Sequence, residues 1–192
     1  MSDPTNADAG APRHPILVAL VHELATERTR MLEFAMRVPE PARNIRPAPD
    51  RWSAAEVLAH LAKVEASSGK LFSVHARQLR ESGAPLESSE DARAIIEGFT
   101  RFPMHIRTRM IEAPEMVQPE AYSDFGDAVR ALEASRARLL EAIAKADGLA
   151  LGSVSAAHPR LGPLTMYEWL LMIARHEARH VEQLDEIATA TA

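Results

Sequence analysis

The sequence contains no cysteine. Disulfides, cysteine-ligated zinc sites and thiol nucleophiles are excluded with it, so any thiol chemistry must use an external thiol. No glycine-rich phosphate loop and no serine nucleophile motif occur. No basic block marks a nucleic-acid surface; the formal charge is −5, with both signs interspersed. The longest apolar run, Trp169-Leu-Leu-Met-Ile-Ala, is far too short to cross a bilayer. The N-terminus has neither a basic n-region nor an apolar h-region. These absences predict a soluble cytoplasmic protein with no membrane and no nucleic-acid partner. A clear alternating strand and a long internal repeat are missing as well, which leaves helices to build the fold.

The chain has 192 residues, enough for one domain with a sizeable core. Residues 1–13 are small, polar and proline-containing, and predict a disordered tail; residues 14–192 predict the folded domain. A first helix is predicted from Pro15, a residue suited to a first helical position. Ile16, Leu17, Leu20, Leu24, Met31, Phe34, Ala35 and Val38 fall near one stripe, and Pro39 and Pro41 stop it. The second helix is predicted from Ala54 to about Leu79. Ser53 and Glu56 make a capping box, with Trp52 and Val57 as a hydrophobic staple. A short helix over Ser88–Phe99 is predicted, and Pro103, Pro114 and Pro119 break the chain beyond it. A third long helix is predicted over Asp124–Ala146 and a loop over Ala150–Gly162. The fourth helix repeats the start device of the second, with Thr165 and Glu168 as the box and Leu164 and Trp169 as the staple. Four long amphipathic segments predict an all-α fold, an antiparallel four-helix bundle.

Chemistry concentrates on the fourth helix. His176 and His180 are four residues apart, so their side chains stack on one helix face. Met172, Ile173 and Leu184 flank them and point the pair inward. Buried imidazoles at that spacing are poorly satisfied alone, and a shared divalent cation satisfies them. The plain alternative is a half-buried pair at a surface or interface. His60, about two turns into the second helix, is the third candidate ligand. Histidines from two helices would form an open metal site. Taken alone, His60 reads equally as a core histidine.

The five residues His176–His180 also spell His-Glu-x-x-His, the zincin protease signature. That reading is disfavoured. Only a short tail follows His180, and positions 183 and 186 hold Gln183 and Glu186 where the metzincin extension needs glycine and histidine. Gln183, three residues after His180, and Glu177 are the candidates for groups that tune the site from outside its ligand set. Glu56 is expected to be used by its cap. Glu65, the nearest acid after His60, reads as solvated, as do the Arg107–Arg109 and Arg136–Arg138 pairs. His14, His22, His75, His105 and His158 show no ligand spacing, and His22 is expected at the surface.

Three segments in order, Trp52-Ser-x-x-Glu-Val-Leu-x-His60-Leu, His158-Pro-x-Leu-Gly-Pro-Leu-Thr165 and His176-Glu-x-x-His180-x-x-Gln183, resemble the DinB-like superfamily. This is the bundle family of damage-inducible and thiol-transferase proteins. The likeness runs from about Ile16 to Ile187 and is weakest in the middle. It implies a four-helix bundle in which His60, His176 and His180 hold a divalent ion, be it zinc, nickel, iron or manganese. Relatives of this type include metal-dependent S-transferases and isomerases that use low-molecular-weight thiols such as bacillithiol or mycothiol. The resemblance therefore implies a small-molecule substrate, a thiol cosubstrate or an activated water, and a homodimer. The competing expectation is a non-catalytic, stress-related bundle that acts as a binding or interaction module.

Overall fold

The computed structural model describes residues 11–87, 113–119 and 124–191. Residues 1–10 of the expected tail and the expected helix over Ser88–Phe99 lie outside the described residues, as do His105 and the Arg107–Arg109 pair. Among the described residues, four long helices carry the fold: α1 (Pro15–Arg37), α2 (Ala54–Ser82), α3 (Phe125–Lys145) and α4 (Met166–Ala190).

The starts of α2, α3 and α4 are each capped by a side chain. Ser53 Oγ accepts the Glu56 N–H at 3.2 Å, and the Glu56 carboxylate accepts the Ser53 N–H at 2.9 Å. Thr165 and Glu168 make the same reciprocal pair on α4. Asp124 caps α3 by accepting the Asp127 N–H. His14 gives α1 no side-chain cap. Instead the Asp147 carboxylate, just past the end of α3, accepts the N–H groups of Arg13 and His14, both at 2.9 Å. That contact fixes the chain at the last residue of the expected tail. At the other end of α2, Gly83 takes a left-handed φ of 64°, a conformation that favours glycine and closes the helix.

The core divides into two apolar clusters. One joins Ile16–Leu24 of α1, Phe72–Leu79 of α2, Leu139 and Ile143 of α3 and Met166–Ala174 of α4. The other joins Met31–Val38, Ala54–Ala62, Phe125–Leu132 and Val181–Ile187. The pairing of helix ends gives the directions. Helices α1 and α4 run one way, and α2 and α3 the other. Neighbours α2 and α3 run in the same direction as each other. Helices α3 and α4 are joined by a compact link. It holds a two-stranded antiparallel hairpin, β1 (Ser155–His158) and β2 (Gly162–Thr165), with His158 opposite Gly162. Sequence pattern predicts a loop there because four-residue strands containing Pro163 and Gly162 show no usable alternation.

A buried ionic layer lies between the two clusters. Arg28 of α1 donates to Glu177 of α4 at 2.9 and 2.5 Å and to Glu65 of α2 at 2.9 Å. Arg136 of α3 donates to Glu65 at 2.5 Å and to Glu177 at 2.9 Å. Ser135 donates to Glu65, and the arginines also reach the Leu132 and Leu24 carbonyls. Glu65 and Glu177 are each only 1 % exposed. The reading of Glu65 and Arg136 as solvated residues is therefore corrected: both are interior, because each helix contributes one charge that the others neutralise. Desolvating an ion costs several kcal/mol, so unpaired charge at this depth is strongly disfavoured. Sliding one helix by a turn, about 5.4 Å, would break the set; the layer thus fixes the relative height of all four helices.

Replacing Arg28 with alanine is expected to destabilise the fold by roughly 3–5 kcal/mol, because two buried carboxylates lose a partner. Urea unfolding followed by circular dichroism measures it, and a loss below about 1 kcal/mol would mean that the layer does not constrain the helices.

Candidate metal centre

His60 leaves α2 toward α4, one and a half turns before Glu65 in the ionic layer. His176 and His180 leave α4 on either side of Glu177. The layer therefore brings the three rings to one level. His60 Nε2 lies 3.3 Å from His176 Nε2, and His180 Nε2 lies 3.2 Å from the same atom. Potential ligand atoms of all three lie within 4.8 Å of one another. Ring centroids are 4.7–5.1 Å apart, with the rings set edge to face. His60 and His180 are buried and His176 is half-buried.

The outer nitrogens decide what the inner ones can do. His60 Nδ1–H donates to the Val117 carbonyl at 2.7 Å. His180 Nδ1–H donates to Gln183 Oε1 at 2.8 Å. With those protons on Nδ1, the neutral rings present bare Nε2 lone pairs to the centre. A proton on His176 Nε2 serves one neighbour at a time. A cation serves all three, and nitrogens about 2.05 Å from one ion at tetrahedral angles lie about 3.3 Å apart. The donor set therefore fits a divalent metal of the kind that imidazole binds.

The surroundings keep His60 and His176 neutral. Burial holds His60 below the ordinary histidine range, although its bond to Val117 works the other way. His176 is held well below that range by burial, then by the neighbouring His180 and His60, with Arg179 and His158 adding to the effect. Trp52 packs on His60 at a centroid distance of 4.9 Å and shields that ring from water. Segment 113–119 is pinned to α2 twice, through Val117 and through Lys63 Nζ, which donates to the Gln118 carbonyl at 3.0 Å.

The remaining expected site residues separate clearly. Gln183 contacts His180 as described. Glu177 does not contact a ligand ring among the described residues. One carboxylate oxygen binds Arg28 and Arg136, and the other is buried without a hydrogen-bond partner among the described residues. Glu177, expected as a group outside the ligand set, makes its described hydrogen bonds in the ionic layer and not in the position that the water-activating glutamate of the zincin pattern would take. The physical reason is helical phase: one residue beyond His176 turns the side chain by about 100°. Glu56 is held by its cap and by Arg46. His22 is exposed. Val117 and Trp52 are site residues that spacing did not reveal; a backbone acceptor carries no side-chain signal, and Trp52 reads first as a staple. A separate cavity of about 290 Å³ between α2 and α3, lined by Gly69, Ser73, Ser135 and Arg138, contains none of the three histidines.

Comparison with known proteins agrees with this fold. The sequence matches the DinB superfamily over residues 23–184. It is 28 % identical over 148 residues to uncharacterized protein YuaE of Bacillus subtilis (strain 168), covering 75 % of this chain and 82 % of that protein. The fold is similar to that of TT2238, a four-helix bundle protein, with a TM-score of 0.57, covering 88 % of this chain and 98 % of that one. At 20 % identity the latter likeness carries the fold alone.

Replacing Gln183 with leucine removes the acceptor that orients His180 and is expected to weaken zinc binding on the order of 10–100-fold. A competition titration against a chromophoric chelator measures this; unchanged affinity would mean Gln183 has no part in the site. A pH dependence arises from the lowered histidines. In the unfolded chain they take up protons near about pH 6.5, while in the fold they stay neutral. Their contribution to the stability of the chelator-treated protein is therefore present above that pH and lost as pH falls below it. Urea midpoints between about pH 7.5 and 5.5 should fall, and His176→Phe should flatten part of the slope.

Proposed function

The chain belongs to the DinB superfamily, and from that premise we propose that it is a metal-dependent enzyme whose single divalent ion is held by His60, His176 and His180. The observation that carries this reading is the meeting of three Nε2 atoms, 3.2–3.3 Å from the central one, with two of the outer Nδ1–H groups already spoken for. The substrate is a small molecule and the nucleophile an external thiol or a water. When bound, the ion lowers the pKa of that nucleophile and stabilises developing negative charge.

The residues of the chain have distinct tasks. The three histidines supply neutral nitrogen donors and leave the rest of the coordination sphere for ligands from solution. Val117 and Gln183 fix two tautomers and raise the basicity of the inner nitrogens. Trp52 excludes water behind His60. The ionic layer holds α1, α2, α3 and α4 in register, so the rings meet without a rearrangement of the bundle. No cysteine competes for the metal or for a thiol substrate. Zinc, nickel, iron and manganese all accept imidazole ligands, with the order of affinity set by the metal rather than by this donor set.

Metal analysis tests the proposal. Protein stripped with chelator and reloaded with zinc or nickel is expected to hold one equivalent, and His176→Ala is expected to hold almost none. Full stoichiometry in that variant would overturn the site. Turnover of simple esters and amides by the loaded protein, with and without a low-molecular-weight thiol, then separates thiol transfer from hydrolysis.

A further inference from the structure

The hairpin between α3 and α4 carries a histidine that the proposed metal set does not use. His158 ends β1. Its Nδ1 accepts the backbone N–H groups of Arg160 at 3.2 Å and Leu161 at 3.3 Å. A ring nitrogen that accepts two N–H bonds carries no proton, so the neutral ring has its N–H on Nε2. Burial, and then the charge of Arg160, favour that neutral form. Among the described residues, Nε2 has no hydrogen-bond partner. The residue is half-buried.

Its placement is set by α4. The ring packs on Trp169 at a centroid distance of 5.2 Å. The Trp169 indole N–H donates to the Ala156 carbonyl at 3.3 Å, which ties β1 to the helix. Trp169 and His176 are seven residues apart, so they share one helix face with about 10 Å between them along the axis. His158 is also near enough to His176 to act on it electrostatically. A fixed N–H donor thus lies on the hairpin that packs against the same face of α4 as His176, within electrostatic reach of it.

We infer that His158 is a substrate-positioning residue, whose Nε2–H donates to a carboxylate oxygen at the far end of a molecule that binds the metal through its near end. The inference rests on the metal site proposed above. A neutral imidazole N–H selects an acceptor, and the adjacent Arg160 charge selects an anionic one, so the ligand class is a carboxylate several bonds from the metal-binding atom. The role is one of orientation, in which the second contact turns a freely rotating ligand into a directed one.

Cobalt-loaded protein and two six-carbon thiols provide the test, with the thiolate–cobalt absorption band as the readout. The wild-type protein is expected to bind 6-mercaptohexanoate roughly tenfold more tightly than hexanethiol, the scale of one hydrogen bond to a charged group. His158→Asn is the chosen variant, because its Oδ1 can still accept the turn N–H groups while nothing replaces Nε2–H. It is expected to keep full cobalt stoichiometry and hexanethiol affinity and to lose most of the preference. A preference unchanged in His158→Asn, or absent in the wild type while both thiols bind cobalt, overturns the role of His158 and leaves the metal site standing. Failure to take up cobalt at all overturns both. Nitrogen-15 spectra of the wild-type protein give a second check: the Nε2–H tautomer is expected at His158, and the Nδ1–H tautomer would contradict the inference.

Discussion

Two guanidinium groups and two carboxylates in the middle of a bundle constrain how its helices stand against one another. Arg28, Glu65, Arg136 and Glu177 come from four different helices, and each finds opposite charge on two others. An apolar core tolerates small shifts of one helix along another, because a leucine packs nearly as well on the next leucine. Buried charge does not, because its desolvation penalty is repaid only at one register. The two apolar clusters on either side supply the cohesion, and the layer between them supplies the alignment. His176 adjoins that layer directly, and His60 lies five residues from it.

The meeting of the three rings depends on that alignment. Spacing on α4 alone brings His176 and His180 to one face, but the third nitrogen must come from a helix running the opposite way. Its arrival within 3.3 Å of His176 requires the heights of α2 and α4 to match closely. The bonds from His60 to Val117 and from His180 to Gln183 then set which nitrogen faces inward. Alignment of helices, direction of rings and position of protons are three separate constraints, and the candidate centre needs all of them. The proposed ion would act on this arrangement; it need not create it.

Much of this was legible in the sequence, and the parts that were not have identifiable causes. The capping boxes at Ser53 and Thr165 mark two helix starts to the residue, because the reciprocal bonds need those side chains at that spacing. The stripes of α1 and α3 give helices with looser ends. The convergence of His60, His176 and His180 is readable because two start signals place the histidines at comparable depth. The ionic layer was missed although each helix carries its trace. Arg28 sits between Leu24 and Met31 on the apolar stripe of α1, Ser135 between Leu132 and Leu139 on α3, and Glu177 between Ile173 and Val181 on α4. One polar residue on a stripe reads as noise when helices are taken singly; it becomes a signal only when several helices share it at one level. The hairpin escaped because its strands are shorter than any usable alternation, and the Val117 carbonyl because backbone acceptors are identical at every residue.

X-ray absorption at the zinc edge of the reloaded protein tests the three-histidine centre most directly. The expected spectrum shows three imidazole nitrogens at about 2.0–2.1 Å, with oxygen completing the shell. The multiple-scattering signal of the rings should shrink in His60→Ala as well as in the variants of α4. A shell of oxygen alone, or a spectrum indifferent to the loss of His60, would contradict a site shared between the two helices.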